Sequence, residues 1–130
     1  MYIQLLRWVL VIVWMVLIFI GSSIPAQDFP DAPKQISIVV HFVEFFVLAI
    51  LLQYALNRGI RTKVKLVSVA TAFLVTVFYG FTDEFHQMFV PGRVPDPMDL
   101  AINTVGALAA CIVFVIVSSR ISIKSVKAKV

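Results

Sequence analysis

Charge is scarce in this sequence. Of its 130 residues, 14% are Asp, Glu, Lys or Arg, where a soluble domain carries about a quarter. A chain this short leaves much of its surface exposed, so a water-soluble fold has too few charges to cover itself. Cysteine is nearly absent. Cys111 stands alone, which excludes an intrachain disulfide, and it lies in an apolar run, where it reads as a small hydrophobe. No internal repeat or low-complexity stretch occurs. Acid is missing from two segments, residues 57–65 and 118–130.

What is abundant is apolar: 61% of residues are hydrophobic and the mean hydropathy is +0.99. A bilayer resolves the excess, because outward-facing Leu, Ile, Val and Phe then meet lipid. A spanning helix takes about 20 mostly apolar residues. Four stretches qualify: Trp8 to Ile24, Ile36 to Leu56, Leu66 to Phe81 running on more polar to His86, and Met98 to Val117. Open strands would leave backbone groups unpaired in lipid, so these segments are predicted to be helices. Gly59 suits the C-terminal cap of the second. The first also resembles a secretory signal, with Arg7 ahead of it and Ser22-Ser23-Ile24-Pro25-Ala26 as a cleavage-like end. Cleavage would leave three spans and break the charge alternation, so a retained span is expected.

The charges that remain are sorted by loop. Residues 57–65 hold Arg58, Arg61, Lys63 and Lys65, and the tail holds Arg120, Lys124, Lys127 and Lys129. The other two loops carry Asp28, Asp31, Asp83, Glu84, Asp96 and Asp99 against Lys34 and Arg93. The positive-inside rule then predicts both termini and the middle loop on the cytoplasmic side. The net charge of +4 sits at segment ends, where anionic headgroups would meet it, so nucleic acid is not an expected partner.

Ionisable groups near or within a bilayer ask for a reason. His41 and Glu44 lie three residues apart, on one helix face, with Leu48 continuing it. They either satisfy each other or join a site. Asp83, Glu84, His86 and Gln87 end the third helix, and carboxylates at that end oppose the helix dipole. Protonation, a cation or the nearby Arg93 could compensate. Asp96-Pro97-Met98-Asp99 is a strong helix start, with Asp96 at the N-cap, Pro97 at N1 and Asp99 at N3 as in a capping box. Asp99 is also followed one turn later by Asn103, then by Gly106 and Ala110. That small stripe invites a close helix and makes Asn103 either interhelical glue or part of a site. His41, Glu44, Asp83, Glu84, His86 and Asp99 are metal-ligand types, but their spacing matches no standard motif, and no metal or other cofactor is expected. Ser22 and Ser23 lie at the same level, with no base identified for a nucleophile.

The run Asp83-Glu84-Phe85-His86-Gln87-Met88-Phe89-Val90-Pro91-Gly92-Arg93, followed by Asp99, Asn103 and Gly106, closely resembles the signature of VanZ-like membrane proteins. His41-Phe42-x-Glu44-Phe45-x-x-Leu48 resembles a second motif of that family, and Ser22 or Ser23 with Pro25 a first. Ile38, Phe45 and Ala110 stand where the family often has a basic residue, an aromatic hydroxyl and a glycine. The resemblance marks His41, Glu44, Asp83, Glu84, Gln87, Arg93, Asp99 and Asn103. It implies a bacterial plasma-membrane protein of the cell envelope, and the family's namesake is associated with low-level resistance to the glycopeptide teicoplanin.

The expected architecture is all-α, an integral membrane bundle of four transmembrane helices with both termini cytoplasmic. Residues 1–117 would form one VanZ-like domain, and 118–130 a short, disordered, basic cytoplasmic tail. A polar pocket open to the outer leaflet would hold His41, Glu44, Asp83, Glu84 and His86 as candidate catalytic groups, with Gln87, Arg93, Asp99 and Asn103 binding ligand. Its partner would be membrane lipid or a lipid-linked envelope precursor, with Arg93 on an anionic group. The alternatives are an enzyme on lipid-attached groups, using a histidine as general base, and a structural subunit of another membrane protein.

Overall fold

Each apolar run folds as one helix, because a backbone that cannot bond to water in lipid must bond to itself. The computed structural model describes residues 2–28 and 33–127, the last six as backbone only. Among the described residues, four helices make up the bundle: α1 (Tyr2–Ser22), α2 (Lys34–Leu56), α3 (Leu66–Gln87) and α4 (Pro97–Lys127), with one 3-10 turn at Ala26–Asp28. All four are long and apolar enough to cross a membrane. Asp31 and Lys129, counted above in the charge pattern, lie outside the described residues.

Beyond shifts of two residues, the helix ends differ from the sequence expectation in three places. α1 begins at Tyr2, ahead of Arg7. Its polar residues find partners there: Arg7 bonds the side chain of Gln4 and lies over the Tyr54 ring, and Gln4 donates to the Ala55 carbonyl. α4 does not stop at Val117 but continues through Lys127, so the expected disordered tail is helical over residues 118–127. Past the apolar run the sequence still lacks glycine and proline, and nothing in it breaks the backbone ladder. The end of α2 is also different. Asn57 is its C-cap, and Arg58, not Gly59, is the first left-handed residue, at φ 57°. Arg58 N–H reaches the Ala55 carbonyl and Gly59 N–H the Tyr54 carbonyl, the paired bonds of a Schellman motif.

α2 and α4 share the most extensive interface, and glycine explains it. A Cβ on Gly106 would stand 2.6 Å from the Phe42 carbonyl oxygen and 3.3 Å from the Phe46 nitrogen. Only a residue without a side chain lets the two backbones come that close. Ala107 and Ala110 pack beside it against Ala49. α1 lies at the margin: among its residues only Val11, Ile18 and Ser22 are buried. Leu10, Ile12, Val13 and Leu17 face outward, as lipid-facing residues do. Two side-chain bonds fix its rotation, from Trp14 Nε1 to the Glu44 carbonyl and from Tyr79 Oη to the Met15 carbonyl.

This arrangement gathers the end of α1, the start of α2 and the α3–α4 loop at one end, the acidic end. The start of α1, the end of α4 and the basic 57–65 loop lie at the other. The loops at the acidic end are joined: Ala26 N–H donates to the Pro91 carbonyl, and Arg93 Nε donates to the Ile24 carbonyl. Gly92, at φ 76°, makes the turn, and a Cβ there would meet Ala26 at 3.2 Å.

Candidate functional site

Beneath those joined loops, α2, α3 and α4 bring their ionisable groups together. His41 on α2 turns Nε2 to Asp99 on α4, 3.6 Å away. Asp83 on α3 accepts from Gln87 Nε2 at 3.1 Å. Glu84 accepts the Asp96 N–H on Oε2 at 3.1 Å. One ligand atom each from His41, Asp83 and Glu84 lie within 4.8 Å of one another, and all three residues are buried. Two carboxylates at the negative end of α3 therefore find what the dipole denies them, in donors from the next turn, the next loop and another helix.

The helix start at Asp96 is only partly the one expected. Asp96 caps α4 through Oδ1 and the Met98 N–H at 2.8 Å. That bond holds its carboxyl below the usual aspartate range, with the Lys34 ammonium at 3.5 Å acting in the same direction. The reciprocal half of a capping box does not form. Glu84, from a neighbouring helix, takes the Asp96 N–H, and Asp99 faces His41 instead. Asp99 belongs to the cluster, not to the cap.

Glu44 takes a different side of α2. Its Oε1 lies 3.9 Å from where a Gly21 Cβ would stand, so it faces α1 while His41 faces α4. It remains within electrostatic reach of Asp83 and Arg93. Three residues of helix separate the two side chains by about 60°, and Asp83 lies within electrostatic reach of both. The Ser22 hydroxyl lies beside Asp83, a neighbour that the sequence signals only by its place at the end of the first span.

Asn103 is fully buried next to Gly80, with no hydrogen-bond partner for Oδ1 or Nδ2. The small stripe below it acts as expected, but Asn103 is not the hydrogen-bonding glue between helices. It stands one turn below Asp99 on α4, and Gly80 stands one turn below Glu84 on α3. His86 leaves the cluster for α1. Its ring lies 4.4 Å from that of Phe19, and Nε2 is 3.0 Å from Ser23 Oγ. Ser23 thus has the base that the sequence did not identify. The same hydroxyl is 2.6 Å from the Phe19 carbonyl, which can only accept. With its hydrogen on that carbonyl, Ser23 accepts from His86, which is a helix-end bond and not an activated nucleophile.

The polar residues converge as packed side chains more than as the lining of an open pocket. An apolar groove of about 350 Å³ runs between α2 and α4, lined by Ile38, Val39, Phe42, Met98, Ala101, Ile102 and Val105. Phe42 and Met98 are the sequence neighbours of His41 and Asp99, so the groove ends beside that pair. Lys34, two turns before His41, stands near the same end with most of its side chain exposed. It was the lone base of its loop, which is the signal that could have marked it.

A family model described as VanZ/LLP1 matches residues 7–118, a stretch that covers most of each of the four helices and every candidate residue. No curated protein and no solved structure matches the chain.

Proposed function

Because the chain belongs to the VanZ/LLP1 family, we propose that it is a multi-pass protein of the bacterial plasma membrane, with both termini inside, that binds an amphiphilic envelope molecule at its outward acidic end. The observation that carries the reading is an apolar groove lined by Phe42 and Met98, the sequence neighbours of His41 and Asp99. An all-apolar groove between two helices of spanning length suits an acyl or prenyl chain. The polar groups where it ends suit the head of the same molecule. Lys34 and Arg93 belong to the same acidic end of the bundle, and Arg93's planar fork matches a phosphate or carboxylate. A lipid-linked precursor has this form. So does a lipoglycopeptide such as teicoplanin, with its tail and sugars.

A second reading, an enzyme acting on lipid-attached groups, draws on the buried His41, Asp83 and Glu84. Single replacement of one of these would then stop turnover while leaving lipid binding in place.

Native mass spectrometry of the protein extracted with its own lipids tests the proposal, with Arg93→Ala and the groove-filling Ala101→Phe beside the wild type. The expected result is a defined anionic lipid species retained by the wild type and lost from both variants. Retention unchanged in both, or no retained species in any sample, would overturn it and favour a structural subunit.

A further inference from the structure

The three buried ligand-type residues have a feature that hydrogen bonding alone does not account for. Each has one polar atom anchored by a separate group: Asp83 Oδ2 by Gln87, Glu84 Oε2 by the Asp96 N–H, and His41 Nε2 by Asp99. The remaining polar atoms of two of them, His41 Nδ1 and Glu84 Oε1, are buried and have no hydrogen-bond partner. His41 is 7% exposed and Glu84 8%, so water does not serve them readily. A buried polar atom left unpaired is costly.

We propose that His41, Asp83 and Glu84 bind one divalent transition-metal ion, of the class of Zn²⁺. Bonds of about 2.0–2.2 Å set tetrahedrally around such an ion place its ligands about 3.3–3.6 Å apart. Ligand atoms already within 4.8 Å of one another need to close by at most about 1.5 Å, a shift that side-chain rotation supplies. An imidazole with one nitrogen facing a carboxylate and the other unbonded is the pattern of a metal-ligating histidine. The anchors on Asp83 and Glu84 orient those carboxylates in the same way. Charge points in the same direction. Glu44 and Asp99 add two more carboxylates around Asp83 and His41, and a cation offsets their mutual repulsion in a poorly solvated site. Three protein ligands leave a position for water or a bound anion. No linear motif announces the site, because its ligands come from two helices and adjoining residues. The inference is independent of the amphiphile reading, since it needs no lipid.

The test uses the full chain in detergent, stripped with chelator, loaded with Zn²⁺ and desalted before elemental analysis. The wild type is expected to hold one Zn²⁺ per chain. Affinity should fall roughly tenfold or more in Asp83→Asn and in Glu84→Gln, and stay unchanged in Asp28→Asn, an exposed acid outside the cluster. Glu84→Gln keeps an acceptor for the Asp96 N–H, and circular dichroism checks its fold. X-ray absorption of the loaded wild type should report imidazole nitrogen together with oxygen neighbours. Substoichiometric zinc in the wild type, or equal retention in both folded variants, would overturn the proposal.

Discussion

Glu84 reaches from the last turn of α3 to the backbone of Asp96, accepting its N–H at 3.1 Å. The donor is the one a capping box would give to Asp99. By taking it, Glu84 ties the end of α3 to the start of α4 and frees Asp99 to face His41. One hydrogen bond thereby decides the role of two acids.

Replacing Glu84 separates its structural and chemical parts. Glu84→Gln retains an acceptor for the Asp96 N–H, so membrane levels and thermal unfolding in detergent should match the wild type while any activity is lost. Glu84→Ala leaves that N–H without its acceptor, which costs about 1–3 kcal/mol and should lower the unfolding midpoint. Equal midpoints for the two variants would refute the bridging role.

Gly106 and Gly21 should respond differently to alanine. A methyl group on Gly106 would overlap the Phe42 carbonyl at 2.6 Å, whereas one on Gly21 meets Glu44 Oε1 at an ordinary 3.9 Å. Gly106→Ala is expected to destabilise by about 1–3 kcal/mol, and Gly21→Ala to leave the unfolding midpoint nearly unchanged.

The cap at Asp96 carries a pH signature. Its carboxyl is held below the usual aspartate range by the Met98 N–H, so the folded-state value is depressed. The cap's contribution is then complete above the unfolded aspartate value of about 3.9 and is lost as pH falls through the lower folded one. Asp96→Asn, which caps without a charge, should flatten the unfolding midpoint across that acid range relative to the wild type.

Ser23→Ala distinguishes a helix-end bond from a nucleophile. The Ser23 hydroxyl bonds the Phe19 carbonyl and His86, and its loss should leave retained lipid and any turnover intact. Abolished turnover with retained lipid would reinstate a serine mechanism.

Orientation can be read by cysteine labelling in a Cys111→Ser background. Arg58→Cys and Lys65→Cys should react only with reagents that enter the cytoplasm, and Asp96→Cys with an impermeant reagent from outside. Labelling of all three from one side would contradict the proposed orientation.

The amino-acid sequence by itself determined the four helices, because hydropathy and the length needed to cross a bilayer are local properties. It also determined the cap at Asp96, where Asp-Pro states the start of a helix, and the close approach at Gly106, where the small stripe invites one. It did not determine the roles of Asp99, Asn103 or His86. Each shares a helix face with several plausible neighbours, and the choice depends on how far every helix is rotated about its own axis. The tertiary structure decided that rotation. With α4 seated on α2 at Gly106, and α1 held by Trp14 and Tyr79, Asp99 meets His41, Asn103 is buried without a partner, and His86 turns to Ser23. Spans are written along the chain, but a site made of atoms from four helices exists only once the helices have packed.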